Sequence, residues 1–317
     1  MVTFADIEQA AERIRGRVRH TPSVPFKPLR QSLPYDIWLK LENLQVTGSF
    51  KPRGAVNRAL SLDPQELSRG LLTASGGNHG LGVAYAGSLL SVPVTVYVPE
   101  KASQARRDRL ARRGAEVIVY GRDWDDAYAA ALRDHEQSGR TLIHPFNDPF
   151  VIAGQGTVGV ELIRDTGVAF DAVVVAIGGG GLIAGVSLAV KSMSPNTRVI
   201  GVEPTGAASM LASLTAGRLV ELQEMRSIAD TLSARRVGEL TLELTQRCVD
   251  ELVLVDDPAM IRATRFLWEE FNLLVEPSAA AALAALIERR FELQEGSRVA
   301  LIVCGGNIDA SPALDAL

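Results

Sequence analysis

Nine short runs rich in Val, Ile and Leu, most of them separated by segments with helical spacing, constrain this chain more than any other feature. They are DIWLKLE (36–42), GLLTAS (70–75), PVTVYVP (93–99), EVIVYG (116–121), TLIHPF (141–146), AVVVAIG (172–178), TRVIGVE (197–203), ELVLVDD (251–257) and RVALIVCGG (298–306). Between them lie stretches such as NHGLGVAYAGSLL and LIAGVSLAVKSM. A strand facing water on one side would alternate polar and apolar residues. Strands apolar throughout, in alternation with helices, imply parallel sheets covered on both faces, an α/β fold. Four runs between about 70 and 147 form a compact βαβα block, and HPFNDPF (144–150), with two prolines, marks its end. Residues 70–147 thus read as a small domain inserted into a larger one made of 1–69 and 148–317. Open α/β sheets bind ligands at the carboxyl ends of their strands, so the cleft between the two units is the expected site.

Composition narrows the partners. No apolar run reaches the roughly 18–20 residues that span a bilayer, and the N-terminal MVTFADIEQAAERIRG lacks the apolar region of a signal peptide. Net charge is −4 with no long block of one sign, which gives no reason to expect nucleic acid or a membrane surface. Two cysteines, Cys248 and Cys304, cannot make a disulfide framework and favour a reducing, cytoplasmic setting. His20, His79, His135 and His144 are scattered, without the spacing of a zinc site.

Three junctions carry chemistry. VVVAIGGGGLIAG places Gly178, Gly179, Gly180 and Gly181 between a buried strand and a helix, where backbone N–H groups and the helix dipole suit a phosphate. The same residues also fit G-x-G-x-x-A at Gly179, Gly181 and Ala184, and Glu203 ends the next strand where a ribose-binding acid would sit. An NAD-dependent oxidoreductase is therefore a rival reading. In VTGSFKPRGA (46–55), Lys51 precedes Pro52. Proline suits the first helical turn and pushes the residue before it out of the α region, which puts Lys51 at a helix N-cap. The dipole there disfavours an ammonium, which suits an amine that must be neutral to attack a carbonyl. In TASGGNHGLGVAYAG (73–87), Ser75, Gly76, Gly77 and Asn78 crowd donors around another helix start, for a carboxylate or a ring hydroxyl, or as an ordinary cap by Asn78 or Ser75.

TGSFKPRGA, SGGNHG, GGGGL, VEPSAAAALAAL (275–286) and LIVCGGNID (301–309), in that order, resemble the fold-type II pyridoxal-phosphate enzymes of tryptophan synthase β-like fold. Within them the likeness is to the threonine/serine dehydratase and serine racemase branch, and it runs from about residue 20 to 310. The resemblance implies that Lys51 carries pyridoxal phosphate as a Schiff base and later acts as base at the substrate Cα. It places Phe50 beside the ring, Asn78 at the ring 3-oxygen, and the N–H groups of Gly178, Gly179, Gly180, Gly181 and Leu182 at the phosphate. Cys304 would face the pyridine nitrogen as a neutral partner, and Ser75 would bind the substrate carboxylate. The implied reaction is loss of water and then ammonia from a β-hydroxy amino acid, with the cofactor phosphate as candidate acid for the hydroxyl. L-threonine and L-serine come first as substrates, hydroxyaspartate or phenylserine as alternatives, and the family suggests a homodimer.

Departures from the family pattern refine this. Racemases of the branch carry a serine where this chain has Gly76, so dehydration is expected over racemisation. The family's ADG reads ADT at 229–231, and Thr231 leaves substrate size open. Relatives with a divalent cation bind it after the strand that follows the glycine loop. Glu203 and the carbonyl of Ala207 match, but Ser209 replaces a carboxylate, which weakens a divalent or monovalent cation site. Glu276 either lines the cofactor site or is an acid at a helix start. No further effector domain follows CGGN in this sequence, so feedback inhibition of that kind is not expected.

Overall fold

The computed structural model describes residues 1–29 and 33–308. Asp309, the last residue of the CGGNID motif, lies outside them. The chain opens with α1 (Phe4–Ile14), begun by a capping box between Thr3 and Asp6, and continues through β1 (Ser23–Phe26), β2 (Asp36–Leu41), α2 (Lys51–Leu60) and α3 (Pro64–Ser68). Next come β3 (Leu71–Ala74), α4 (Asn78–Leu90), β4 (Val94–Val98), α5 (Gln104–Ala111), β5 (Glu116–Val119), α6 (Trp124–Ser138) and β6 (Thr141–Leu142). Then follow α7 (Pro149–Thr166), β7 (Ala172–Ala176), α8 (Gly181–Met193), β8 (Arg198–Pro204) and α9 (Ser209–Ala216). The rest is α10 (Glu239–Cys248), β9 (Glu251–Val255), α11 (Asp257–Phe271), α12 (Pro277–Ile287) and β10 (Arg298–Val303).

Two sheets result. One has the order β1-β2-β10-β7-β8-β9 and the other β5-β4-β3-β6. Every pairing is parallel except β1 with β2. All nine apolar runs become strands. The added strand, SVPF, contains Pro25, which lacks an N–H for a ladder and is tolerated because β1 is an edge. The run at 141–146 pairs only through Thr141 and Leu142, because the chain turns away at His144: its Nδ1 accepts from the backbone N–H of Phe146 (3.2 Å) and Asn147 (2.8 Å).

Lys51 is the first helical residue of α2, not its cap. Phe50 takes the cap position, already in the αR region, and offers no side-chain bond. The backbone before the helix is held from outside. Phe50 N–H donates to the Cys304 carbonyl (3.1 Å), and Ser49 bridges to Gly305. That anchoring outweighs the preference against αR before proline.

Packing brings the strand ends to one cleft. The alanine-rich α12 is buried from Ser278 to Leu286 in the main core around the six-stranded sheet. Helices α7 and α8 approach so closely that a Cβ on Gly185 would lie 2.4 Å from the Ile152 carbonyl. Beneath α2 lies a buried ion network. The Arg53 guanidinium, wholly inaccessible, donates to both oxygens of Glu42 (2.8 Å each) and to Glu161 (2.6 and 2.7 Å), and Lys40 Nζ also reaches Glu161 (2.7 Å). These bonds tie β2, the 3-10 turn Glu42–Leu44 and α7 to the helix that begins with Lys51.

Candidate active site

A cavity of about 1090 Å³ opens between the two sheets at the carboxyl ends of β3 and β7. Phe50, Lys51, Ser75, Asn78, the Gly178–Gly181 loop, Leu182 and Cys304 all line it, so segments far apart in sequence share one space. Lys51 Nζ donates to the Pro145 carbonyl (2.8 Å) and lies 5.0 Å from the centre of the Phe50 ring. Burial lowers the Lys51 pKa from 10.5 to about 8 against an opposing pull from Cys304. Burial likewise pushes the Cys304 thiol far up, so it is uncharged at neutral pH and its pull on the amine is absent there.

The glycine loop is fixed by its neighbours. Gly180 has φ +91°, and a Cβ there would lie 2.7 Å from Met210 Cε and 2.8 Å from Thr241 Cβ. Thr241 Oγ1 donates to the Gly179 carbonyl (2.9 Å), and the Phe146 ring occupies the space where a Gly179 Cβ would be. The first N–H groups of α8 have no acceptor within the helix, and no side chain caps them. The start of α4 is the same, with Gly77 at the cap and no side-chain bond. Neither Asn78 nor Ser75 caps it, although Ser75 Oγ accepts from Gly77 N–H (3.3 Å). The cavity therefore holds two uncapped helix starts and one desolvated amine.

Asn78 is held from behind. Its Nδ2 donates to both oxygens of Glu276 (2.9 and 3.1 Å), and its Oδ1 accepts from Asn307 Nδ2 (2.7 Å). Glu276 is buried and also accepts from Asn307 N–H (2.8 Å), Thr231 Oγ1 (3.2 Å) and Ser278 Oγ (3.2 Å). It stands behind Asn78 and orients it, and is not among the residues lining the large cavity. Thr231 does line that cavity.

Glu203 and Ala207 lie apart from this group. Glu203 is wholly buried and accepts from the backbone N–H groups of Met210 and Leu211 (2.8 Å each) at the start of α9. Burial raises its pKa to about 7, and the two donors work in the other direction. A carboxylate held there cannot reach a ribose, which removes the support for a dinucleotide. Among the described residues the one grouping with metal-ligand spacing is His20, Glu161 and Asp165. Glu161 is already bonded to Arg53 and Lys40, and two adjacent cations oppose a metal ion. Sequence reasoning passed over His144, Phe146, Thr241 and Asn307. The short HPFND segment after a strand was the only signal for the first two.

Comparison with known proteins agrees with this geometry. Residues 14–305 match the family described as pyridoxal-phosphate dependent enzyme. The chain is 41% identical over 311 residues to an L-threonine ammonia-lyase of Thermotoga maritima, covering 98% of this chain and 77% of that one. It is 36% identical over 312 residues to a catabolic L-threonine dehydratase of Staphylococcus aureus, covering 98% and 90%. Among solved structures, maize serine racemase superposes with a TM-score of 0.92 at 33% identity, covering 99% and 96%. The processed form of threonine deaminase isoform 2 from Solanum lycopersicum gives 0.90 at 36%, covering 98% and 90%. The chain belongs to the pyridoxal-phosphate dependent enzyme family and has the fold-type II arrangement of these structures. Its cofactor is pyridoxal 5'-phosphate.

Proposed function

We propose that this chain is an ammonia-lyase that converts L-threonine and L-serine to a 2-oxo acid and ammonia by α,β-elimination. Hydroxyaspartate or phenylserine are the next substrates to try. The observation that carries the reading is the desolvated amine of Lys51 in one cavity with the uncapped start of α8.

The residues present fit pyridoxal phosphate. Lys51 would hold it covalently and Phe50 would lie beside its ring. The N–H groups of Gly178, Gly179, Gly180, Gly181 and Leu182 would take its phosphate. Asn78, oriented by Glu276 and Asn307, would lie at the 3-oxygen, and the Cys304 thiol, kept neutral by burial, would face the ring nitrogen. When bound, the cofactor supplies an electron sink for the pair left on Cα as its proton is removed. Lys51, uncharged above about pH 8, removes that proton. Ser75 and the N–H groups opening α4 hold the substrate carboxylate. Gly76 lines the cavity without a side chain to return a proton, which biases the site toward elimination over racemisation. A cation at Glu203 and Ala207 is no part of the proposed chemistry, because the carboxylate is engaged by α9. The 70–147 unit would form one wall of the cleft and the rest of the chain the other. The family likeness supports a homodimer. A cytoplasmic setting is supported by the two buried, unpaired thiols. Among the described residues no helix is long and apolar enough to cross a membrane.

The test is an absorbance spectrum of the wild-type protein beside Lys51→Ala, followed by 2-oxo acid detection with each candidate substrate. A band at about 410–420 nm, the mark of lysine-bound pyridoxal phosphate, is expected in the wild type and absent in the variant, with 2-oxobutanoate formed from L-threonine. A wild-type protein with the band but no 2-oxo acid from any of these substrates would overturn the lyase reading.

A further inference from the structure

His144 lines the cavity at the end of β6, beside the carbonyl of Pro145 that Lys51 Nζ contacts. Its Nδ1 lone pair accepts from the backbone N–H groups of Phe146 (3.2 Å) and Asn147 (2.8 Å). The ring proton of the neutral imidazole is therefore on Nε2. The ring is clamped edge-on by two others, Tyr128 with centroids 5.6 Å apart and Phe146 at 4.6 Å. Tyr128 in turn stacks on Trp124, whose indole N–H donates to the Ala74 carbonyl (2.8 Å). Among the described residues no acceptor takes the Nε2–H. The orientation is thus fixed by its two backbone donors and two rings, and the one free donor belongs to a ring that borders the reaction cavity.

We propose that His144 Nε2–H is a catalytic hydrogen-bond donor to the β-oxygen of the substrate as the Cβ–O bond breaks. The inference rests on the lyase reading above and adds a residue to it. Burial, with Lys51 as the next influence, lowers the His144 pKa from 6.5 to about 4, so the imidazole remains neutral at working pH. A neutral imidazole is a poor proton source and a good fixed donor. His144 keeps its proton throughout. The Cα–H bond breaks with the proton passing to Lys51. As the Cβ–O bond breaks, its electron pair leaves with the oxygen and the Cα pair becomes the Cα–Cβ double bond, and the departing hydroxyl takes the proton held on Lys51 and leaves as water, so the proton count balances without oxidant or reductant. A donor preorganised where charge develops acts only as that bond breaks.

The test uses the holoenzyme and two leaving groups. L-Serine loses hydroxyl, whereas β-chloro-L-alanine loses chloride, which needs no donor. His144→Asn keeps an oxygen able to accept from the Phe146 and Asn147 N–H groups and removes the distal donor. His144→Phe removes both. For each variant the cofactor absorbance reports loading. Both variants are expected to lower kcat for L-serine and L-threonine about a hundredfold. Turnover of β-chloro-L-alanine should stay within about threefold of wild type. Equal losses on both leaving groups with the cofactor band intact, or a loss confined to KM, would give His144 a structural or carboxylate-binding role and overturn the inference. So would undiminished L-serine turnover in both variants. A wild type that turns over β-chloro-L-alanine but no hydroxy amino acid would sink the lyase reading itself and this inference with it.

Discussion

Lys51 shows how one position can serve two ends. Its amine is placed at a helix start, but burial does most to make it reactive. Apo-protein should therefore bond pyridoxal phosphate with a rate that rises through about pH 8 rather than near 10.5, as stopped-flow absorbance would record. The same burial has a stability consequence. Between about 8 and 10.5 the unfolded chain binds the proton that the folded one has lost, so apo-protein stability rises with pH across that window. Below it the buried ammonium costs on the order of 3 kcal/mol. Denaturant unfolding of wild type and Lys51→Met at pH 7 and pH 10 would reveal it, the variant being the more stable by a margin that shrinks at the higher pH.

At the scale of elements, the start of α2 is held by what lies beneath it. Arg53 is shared by Glu42 and Glu161, and removing it leaves two carboxylates facing Lys40, His20 and hydroxyl or backbone donors in a largely dry site. Arg53→Met is expected to cost about 3–5 kcal/mol in urea unfolding, the range for breaking a buried pair by deleting one partner. A cost below about 1 kcal/mol would mean that water reaches the network. Helix α9 offers a second case. Glu203 closes its first turn from the preceding strand, an arrangement no local capping pattern announces, since the donors are seven and eight residues away.

Across the whole molecule, charged contacts bridge the two walls of the cleft. Arg106 on α5 pairs with Asp230, and Arg235 Nε lies 3.3 Å from Asp125 at the start of α6. All four residues border the cavity, and Arg106 and Asp230 are about half exposed. Exposed pairs contribute little to stability, so Arg106→Ala should change unfolding free energy by less than about 1 kcal/mol. Its effect belongs to closure of the site. A few-fold rise in KM for L-threonine with kcat nearly unchanged is expected in steady-state assays, and high salt should move the wild type in the same direction.

The parallel α/β architecture was legible from the residues alone, because apolar strands with helical connections have no other way to bury both faces. So were the segments around Lys51, Asn78, the glycine loop and Cys304, which the fold brings to one cavity. The first three sit in short segments whose local chemistry is unusual: an amine against a proline, an amide in a Gly-rich turn, four glycines before a helix. Cys304 was marked by its place in an ordered set of motifs. Relations between distant segments were not legible. The Lys51 position inside α2 follows from the Cys304 carbonyl at the far end of the chain, which holds Phe50 in place. Glu276 serves Asn78 from 198 residues off, and Glu203 is spent on a helix and not on a ligand. His144, which borders the cavity, looked like the end of a strand. These roles emerge on folding, because a side chain's partners and its exclusion from water are set by packing, and packing depends on the whole chain at once.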